Sequence, residues 1–131
     1  MIVVIDASAA LEVALGRKGA ALLREHLAEA AWVIAPDLFV SEVTNAFWKY
    51  HQFAGLPKDE CEEGLGGALA LPDDLIAAKD LARESLALAC LTGRPAYDMF
   101  YLALARREDA LLLTLDESLK EAARKQNVVT A

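Results

Sequence analysis

Three short apolar runs, each ending at a polar residue or a proline, limit the folds that this chain can adopt. Residues 2–5 read IVVI, residues 32–35 read WVIA and residues 111–115 read LLLTL. Continuous apolar runs of this length are typical of strands that are buried on both faces of a parallel sheet. Helix-forming segments separate the runs, so the order of elements predicts an α/β sandwich with a mostly parallel sheet.

Helix boundaries follow from the spacing of apolar residues, from capping residues and from glycine or proline stops. Asp37 is expected to cap one helix, and the pairs Asp59/Glu62 and Ser118/Glu121 have the spacing of capping boxes. The expected elements are helices over residues 7–15, 18–30, 37–53, 74–91 and 97–107, a short helix from about 59, a last helix from 118, and a short terminal strand at 128–130.

Length, composition and charge restrict the class of protein. The chain of 131 residues has room for one domain over residues 1–131, and its hydrophobic fraction of 56% indicates a folded protein. We expect no membrane span and no signal peptide, and therefore a cytoplasmic protein. The net charge of −7 is unlike that of a simple electrostatic nucleic-acid binder, so work on phosphates would require metal ions.

The cysteines and histidines show no metal-binding pattern. Cys61 and Cys90 are interpreted as reduced, buried thiols, with a disulfide left open only for a hyperthermophilic source. His26 and His51 are isolated and lack the spacing of zinc ligands, so a Cys/His zinc site is not expected.

Four acidic residues lie at the ends of apolar segments, where a carboxylate is costly unless it is paired or bound to a cation. They are Asp6, Glu42, Asp98 and Asp116. Each has a structural alternative: Asp6 can cap a helix, Glu42 can belong to a solvated helix face, and Asp98 suits the first turn of its helix. Asp116 precedes the expected cap at Ser118, so a functional role is favoured there.

Taken together, the four carboxylates predict a metal site. Asp6 and Asp116 follow strands at the edge where parallel sheets bind ligands, and Glu42 and Asp98 lie on helices that begin near that edge. Oxygen ligands suit Mg²⁺ or Mn²⁺. An ion held there can activate water and neutralise a phosphate, which indicates metal-assisted phosphodiester hydrolysis. No P-loop, GxGxxG or GxSxG motif offers a different chemistry.

The segments around these acids resemble the PIN-domain family, and VapC-type toxins in particular. The matching motifs are VIDASAAL, PDLFVSEVTNAF, AYDMFYLALA and LLLTLDESL, in this order along the chain. The resemblance implies a PIN-like three-layer α/β/α sandwich over the whole chain. It also implies a Mg²⁺- or Mn²⁺-dependent endoribonuclease whose acidic pocket comprises Asp6, Glu42, Asp98 and Asp116.

Further expectations come with the resemblance. Ser8, Asn45 and Thr114 match positions that support the pocket, and hydrolysis would leave a 5′-phosphate and a 3′-hydroxyl. A homodimer and a cognate VapB-type antitoxin are expected partners, beside the RNA substrate. The alternatives are a PIN-domain nuclease in RNA processing and a non-catalytic PIN fold that binds protein. Apart from the resemblance, contacts to the RNA backbone must come from the few basic residues near the pocket; the candidates are Arg17, Lys18, Lys49 and Arg94, and ordinary surface is the favoured interpretation of each.

Overall fold

A parallel four-stranded sheet forms the centre of the computed structural model, which describes residues 1–131. The strands are β1 (Ile2–Ile5), β2 (Trp32–Pro36), β3 (Asp74–Ile76) and β4 (Leu111–Leu113). Their order across the sheet is β3-β2-β1-β4, with Val3 opposite Val33 on one side and Leu111 on the other. The predicted α/β fold with a mostly parallel sheet is confirmed.

Seven α-helices connect and flank the strands. Right-handed crossovers are the rule for parallel strands, so the helices between β1 and β3 cover one face and those between β3 and β4 cover the other. The result is the expected three-layer arrangement. The helices are α1 (Ala7–Ala14), α2 (Ala20–Glu29), α3 (Leu38–Ala54), α4 (Lys58–Leu69), α5 (Ala82–Thr92), α6 (Ala96–Glu108) and α7 (Glu117–Lys125), with a short 3-10 helix at Ala78–Asp80.

The core lies on both faces of the sheet, and helix α6 is its most deeply buried helix. Five consecutive residues of α6, Tyr101 to Ala105, are buried, because this helix packs on the sheet on one side and on α5 on the other. All three residues of β4 and three of the four in β1 are also buried. The strands that were recognised by continuous apolar runs are therefore those with both faces covered.

The strand order places a crevice at one edge of the sheet. From β1 the chain moves to β2 and then β3 on one side, whereas β4 pairs with the other side of β1. The connections from β1 and to β4 thus diverge, and such a switch point leaves a crevice at the carboxyl ends of the two strands. Asp6 follows β1 and Thr114 follows β4, so both lie at this crevice.

The prediction of one helix over residues 74–91 is wrong at its start. Asp74–Ile76 forms the edge strand β3, and the helix begins only at Ala82. The Asp73 carboxylate accepts from the Val33 backbone N–H at 2.8 Å, and the Asp74 carboxylate accepts from the Trp32 indole N–H at 2.7 Å. These bonds to β2 stabilise an extended segment that carries no strand pattern of its own.

Three expected caps and the terminal strand are also wrong. The Asp37 carboxylate makes no cap and instead accepts from the Ala78 backbone N–H at 3.0 Å, which ties α3 to the 3-10 helix. Helix α4 begins after Pro57 without a side-chain cap, and α7 is capped by Asp116 rather than by a box at Ser118. Residues 128–130 form only an isolated bridge between Thr130 and Leu112.

Two further observations bear on the expectations from composition. Both cysteines are free thiols; Cys61 is half-buried, but Cys90 is exposed, so its predicted burial is wrong. No helix combines the length and the apolar composition that crossing a membrane requires.

Candidate active site

Asp6 is the most deeply buried of the four predicted acids, with 6% of its surface exposed. It is the N-cap of α1, and its Oδ1 accepts from the Ala9 backbone N–H at 3.0 Å and from the Ser8 hydroxyl at 2.7 Å. Its Oδ2 accepts from the Thr114 hydroxyl. The capping alternative is therefore correct, but capping occupies only Oδ1, and Oδ2 keeps acceptor capacity.

Thr114 connects the ends of β1 and β4. Its side chain is fully buried. Its hydroxyl group donates a hydrogen bond to the Asp6 carboxylate and accepts one from the Asp116 backbone N–H at 3.0 Å. The Ser8 hydroxyl oxygen in turn accepts from the Leu115 backbone N–H at 3.0 Å. Two hydroxyl groups thus fix both the Asp6 carboxylate and the backbone that leads to Asp116.

Asp116 is the N-cap of α7, the role that the sequence pattern predicted for Ser118. Its Oδ1 accepts from the Ser118 and Leu119 backbone N–H groups at 2.9 and 3.2 Å, as an N-cap does. The prediction that another residue caps this helix was therefore wrong. No hydrogen bond engages its Oδ2, so one oxygen remains available.

Asp98 lies in the first turn of α6, is partly buried and accepts no hydrogen bond from the protein. Burial raises the pKa of Asp98, and the positive charge of Arg94 opposes that rise. The Arg94 guanidinium is held in place by the start of α7, because its Nη1 donates to the Ser118 backbone carbonyl at 2.7 Å and to the Ser118 hydroxyl. A partly buried carboxylate without a protein donor suggests that an external group completes its shell.

Glu42 on α3 is half-buried and does not belong to a solvated helix face. Its Oε1 accepts from the phenolic hydroxyl of Tyr101 on α6 at 2.5 Å, and this is its only hydrogen bond. Burial raises the pKa of Tyr101, so the phenol stays protonated and continues to donate. Tyr101 was not predicted as a site residue. The sequence signal for it was an aromatic residue with a hydroxyl group three positions after Asp98, on the same helix face.

The charges of the four carboxylates act on one another. Burial raises the pKa of Asp6, and the charge of Asp116 adds to the rise, while hydrogen bonds from Thr114, Ala9 and Ser8 oppose it. Burial also raises the pKa of Glu42, with contributions from the charges of Asp98 and Asp6. The pKa of Asp98 is raised by burial and then by Asp116. The structure therefore brings the four predicted acids together in one repelling cluster.

The oxygen ligands of this cluster suit a hard divalent cation, but they do not form a closed cage. No group of three or more acidic, histidine or cysteine side chains is arranged to hold an ion in common. Mg²⁺ usually retains several waters and is bound through one or two carboxylates, so an open cluster fits it better than it would fit a metal enclosed by protein ligands. Repulsion among partly buried carboxylates is the force that a bound cation would relieve.

The remaining predicted residues differ in their placement. Ser8 and Thr114 lie in the cluster, whereas Asn45 is exposed and makes no hydrogen bond to any of its members. Among the basic residues named as candidates, Arg94 lies near enough to Asp98 for its charge to lower the pKa of that carboxyl. Arg17 instead lies over the Tyr50 ring, 5.1 Å from its centre. None of the four cavities in the protein is lined by Asp6, Glu42, Asp98 or Asp116.

Comparisons with known proteins bear on the family and the fold of the chain. The sequence model of the PIN domain family matches residues 3–125. The chain is 29% identical over 123 residues to a protein named Ribonuclease VapC3 from Pyrobaculum aerophilum, an alignment that covers 92% of this chain and 94% of that one. It is also similar to the crystal structure of PAE2754 from P. aerophilum, with a TM-score of 0.74, 22% identity, and coverage of 99% and 92% of the two chains. The structural likeness bears on the fold alone.

Proposed function

The chain belongs to the PIN-domain family, and from this premise we propose that it is a Mg²⁺- or Mn²⁺-dependent endoribonuclease, the toxin of a VapBC-type pair. The observation that carries the proposal is the cluster of Asp6, Glu42, Asp98 and Asp116 near the carboxyl edge of the sheet. The pKa values of Asp6, Glu42 and Asp98 are raised by burial and then by the charges of other acids in the cluster. The similarity to a protein named as a VapC ribonuclease supports it.

Each acid of the cluster has a proposed role in binding the cation. Asp6, Asp98 and Asp116 would hold the cation directly or through water, and Glu42 would complete the set. When bound, such an ion supplies an activated water nucleophile and offsets the charge of the phosphate. Asp98 is the most available ligand because no protein donor occupies its oxygens, while Asp6 and Asp116 each use one oxygen as a helix cap and offer the other.

The protein groups around the carboxylates provide orientation and a positive charge. Thr114 and Ser8 hold the Asp6 carboxylate against rotation, which keeps Oδ2 at the crevice between β1 and β4. Arg94 is the basic residue best placed to contact an RNA phosphate, because only Nη1 is engaged by Ser118 and the other guanidinium N–H groups are free. The chain carries a net charge of −7, so RNA binding by this site depends on such local cations.

The antitoxin is part of the same proposal. A groove of about 380 Å³ between α3 and α4 is lined by Phe47, Trp48, Cys61 and Leu65, and Trp48 is 53% exposed. Exposed acidic residues of α4 lie in or beside the segment that forms this groove; they are Asp59, Glu60, Glu62 and Glu63. An antitoxin tail with apolar and basic side chains would complement both features, since opposite charge favours encounter with the right partner.

Cleavage of a mixed RNA pool by the purified protein tests the proposed activity. We expect cleavage with Mg²⁺ or Mn²⁺, none with chelator, and none by the Asp98→Asn variant, which preserves the shape of the side chain and removes its charge. Asp59→Asn is the matched control, because it makes the same change on an exposed surface of α4. Full activity in Asp98→Asn, or cleavage that persists in chelator, would refute the assignment.

The partner and assembly have separate tests. A small gene for a DNA-binding antitoxin beside the gene for this chain is expected, and co-purification of its product should suppress cleavage. Analytical ultracentrifugation should show a homodimer. A purified antitoxin that neither binds nor inhibits the protein would instead favour a PIN-domain nuclease that acts in RNA processing.

A further inference from the structure

Tyr101 carries a hydroxyl group in a helical segment whose next residues, Leu102 to Ala105, are all apolar. The residue is 2% exposed and belongs to the largest buried side chains, and its neighbours in α6, Leu102 to Ala105, are all buried hydrophobic residues. A phenylalanine ring would fill nearly the same space. A buried phenolic hydroxyl is costly unless it has a partner, so its presence points to the group that it contacts.

That group is Glu42, which has no other donor. Asp6 accepts from Ser8, Ala9 and Thr114, and Asp116 is held by two backbone N–H groups, but the only hydrogen bond to Glu42 comes from Tyr101. A glutamate side chain has three rotatable bonds, and ordering such a side chain costs conformational entropy. The orientation of the Glu42 carboxylate therefore depends on a single phenol.

The bond also joins two layers of the fold. Glu42 lies on α3, which covers one face of the sheet, and Tyr101 lies on α6, which covers the other, 59 residues later in the chain. The hydroxyl therefore fixes the position of Glu42 relative to Asp98, which lies three residues before Tyr101 on the same helix. No other hydrogen bond joins the α3 carboxylate to the elements that carry the remaining acids.

We propose that Tyr101 is a positioning residue of the active site: its hydroxyl holds Oε1 of Glu42 and so would leave Oε2 available to a divalent cation bound by the cluster. This inference rests on the proposed metal-dependent function. Partners that orient a metal ligand through a hydrogen bond characteristically change metal affinity or activity by about 10–100-fold when they are removed. A hydroxyl that only satisfies a buried carboxylate would have no such effect on the metal.

The test is a double-mutant cycle of Tyr101→Phe and Glu42→Gln, with Mn²⁺ affinity measured by isothermal titration calorimetry on metal-free protein. We expect Tyr101→Phe to weaken Mn²⁺ binding by about tenfold or more. The effect should vanish when Glu42 is already Gln, because the phenol then has no carboxylate ligand to orient. Tyr50→Phe is the matched control, since it removes a phenolic oxygen that contacts only Arg17.

Several results would overturn the inference. Unchanged Mn²⁺ affinity in Tyr101→Phe would do so, as would an equal loss of affinity in the presence and absence of the Glu42→Gln change. If Tyr101→Phe alone does not fold, the double variant, in which the Glu42 charge is also removed, still decides the matter: its affinity must equal that of Glu42→Gln. A wild-type protein that binds no Mn²⁺ and cleaves no RNA would instead refute the proposed function itself, and the inference with it.

Discussion

Replacing Thr114 with valine should destabilise the protein through the loss of one hydroxyl group. Valine has nearly the shape of threonine, so the change removes the hydroxyl while the fully buried side chain keeps its packing volume. The hydroxyl donates to Oδ2 of Asp6 and accepts from the Asp116 backbone N–H at 3.0 Å. The variant therefore removes a donor from a carboxylate and leaves a backbone N–H without its partner.

The expected cost follows from these two bonds. A hydrogen bond to a charged group contributes about 1.5–3 kcal/mol, and an unsatisfied buried N–H costs about 1–3 kcal/mol. Asp116 is only partly buried, so water can relieve part of the second penalty. We therefore expect a total loss of about 2–4 kcal/mol from these two contributions. For a chain of this length each kcal/mol lowers Tm by roughly 3–5 °C, so a fall of about 10 °C should be seen.

The measurement is thermal and urea unfolding of metal-free protein at neutral pH, beside two comparison variants. Thr114→Ser keeps the hydroxyl and loses one methyl group, which should cost about 1 kcal/mol. Thr44→Val makes the same change as Thr114→Val on the exposed face of α3, where a substitution costs at most about 0.5 kcal/mol. If Thr114→Val is no less stable than Thr44→Val, the hydroxyl does not hold the two strand ends together and the reasoning fails.

The remaining predictions concern the acidic cluster and helix α4. In metal-free protein, the pKa values of Asp6 and Asp98 are raised above their ordinary value of 3.8. Protonation of these carboxyls therefore stabilises the fold; the full contribution is present below pH 3.8 and is lost as the pH rises through the raised pKa values. Asp98→Asn should therefore gain Tm over wild type, by a margin that grows from pH 4 to pH 8; a constant or shrinking margin across that range would contradict it. In α4, Gly66→Ala should stabilise by about 0.5–1 kcal/mol, because an added Cβ meets no atom within 4 Å. Gly64→Ala should destabilise, because its Cβ would lie 2.6 Å from Cε1 of the buried Phe47 ring; urea unfolding that gave both glycine variants the same sign would count against the packing described here.

The local pattern was informative where one feature of the chain determined the outcome. The strands within the runs at 2–5, 32–35 and 111–115 are covered on both faces, and such strands show in sequence as unbroken apolar residues. The last run was predicted too long, because β4 ends at Leu113 and Leu115 is exposed. The carboxyl ends of neighbouring parallel strands share one edge, so Asp6 and Asp116 could be placed near each other before any contact was known. Where several local choices competed, as for the caps at Asp37 and Ser118, the prediction was wrong.

Tertiary contacts decided the parts that no local pattern could show. Strand β3 has three residues and exists because Asp73 and Asp74 bond to β2, forty or more positions earlier. The Thr114 hydroxyl reaches Asp6 across 108 positions.

The sequence by itself determined the layered α/β architecture, because strands that are buried on both faces show as apolar runs of consecutive residues. It also predicted the four acids as one site. Only the tertiary structure decided which polar groups donate to Asp6, Glu42 and Asp116, including the hydrogen bond from Tyr101 to Glu42. A hydrogen bond depends on the positions of two atoms to within a few tenths of an ångström, and the packing of the whole chain sets those positions.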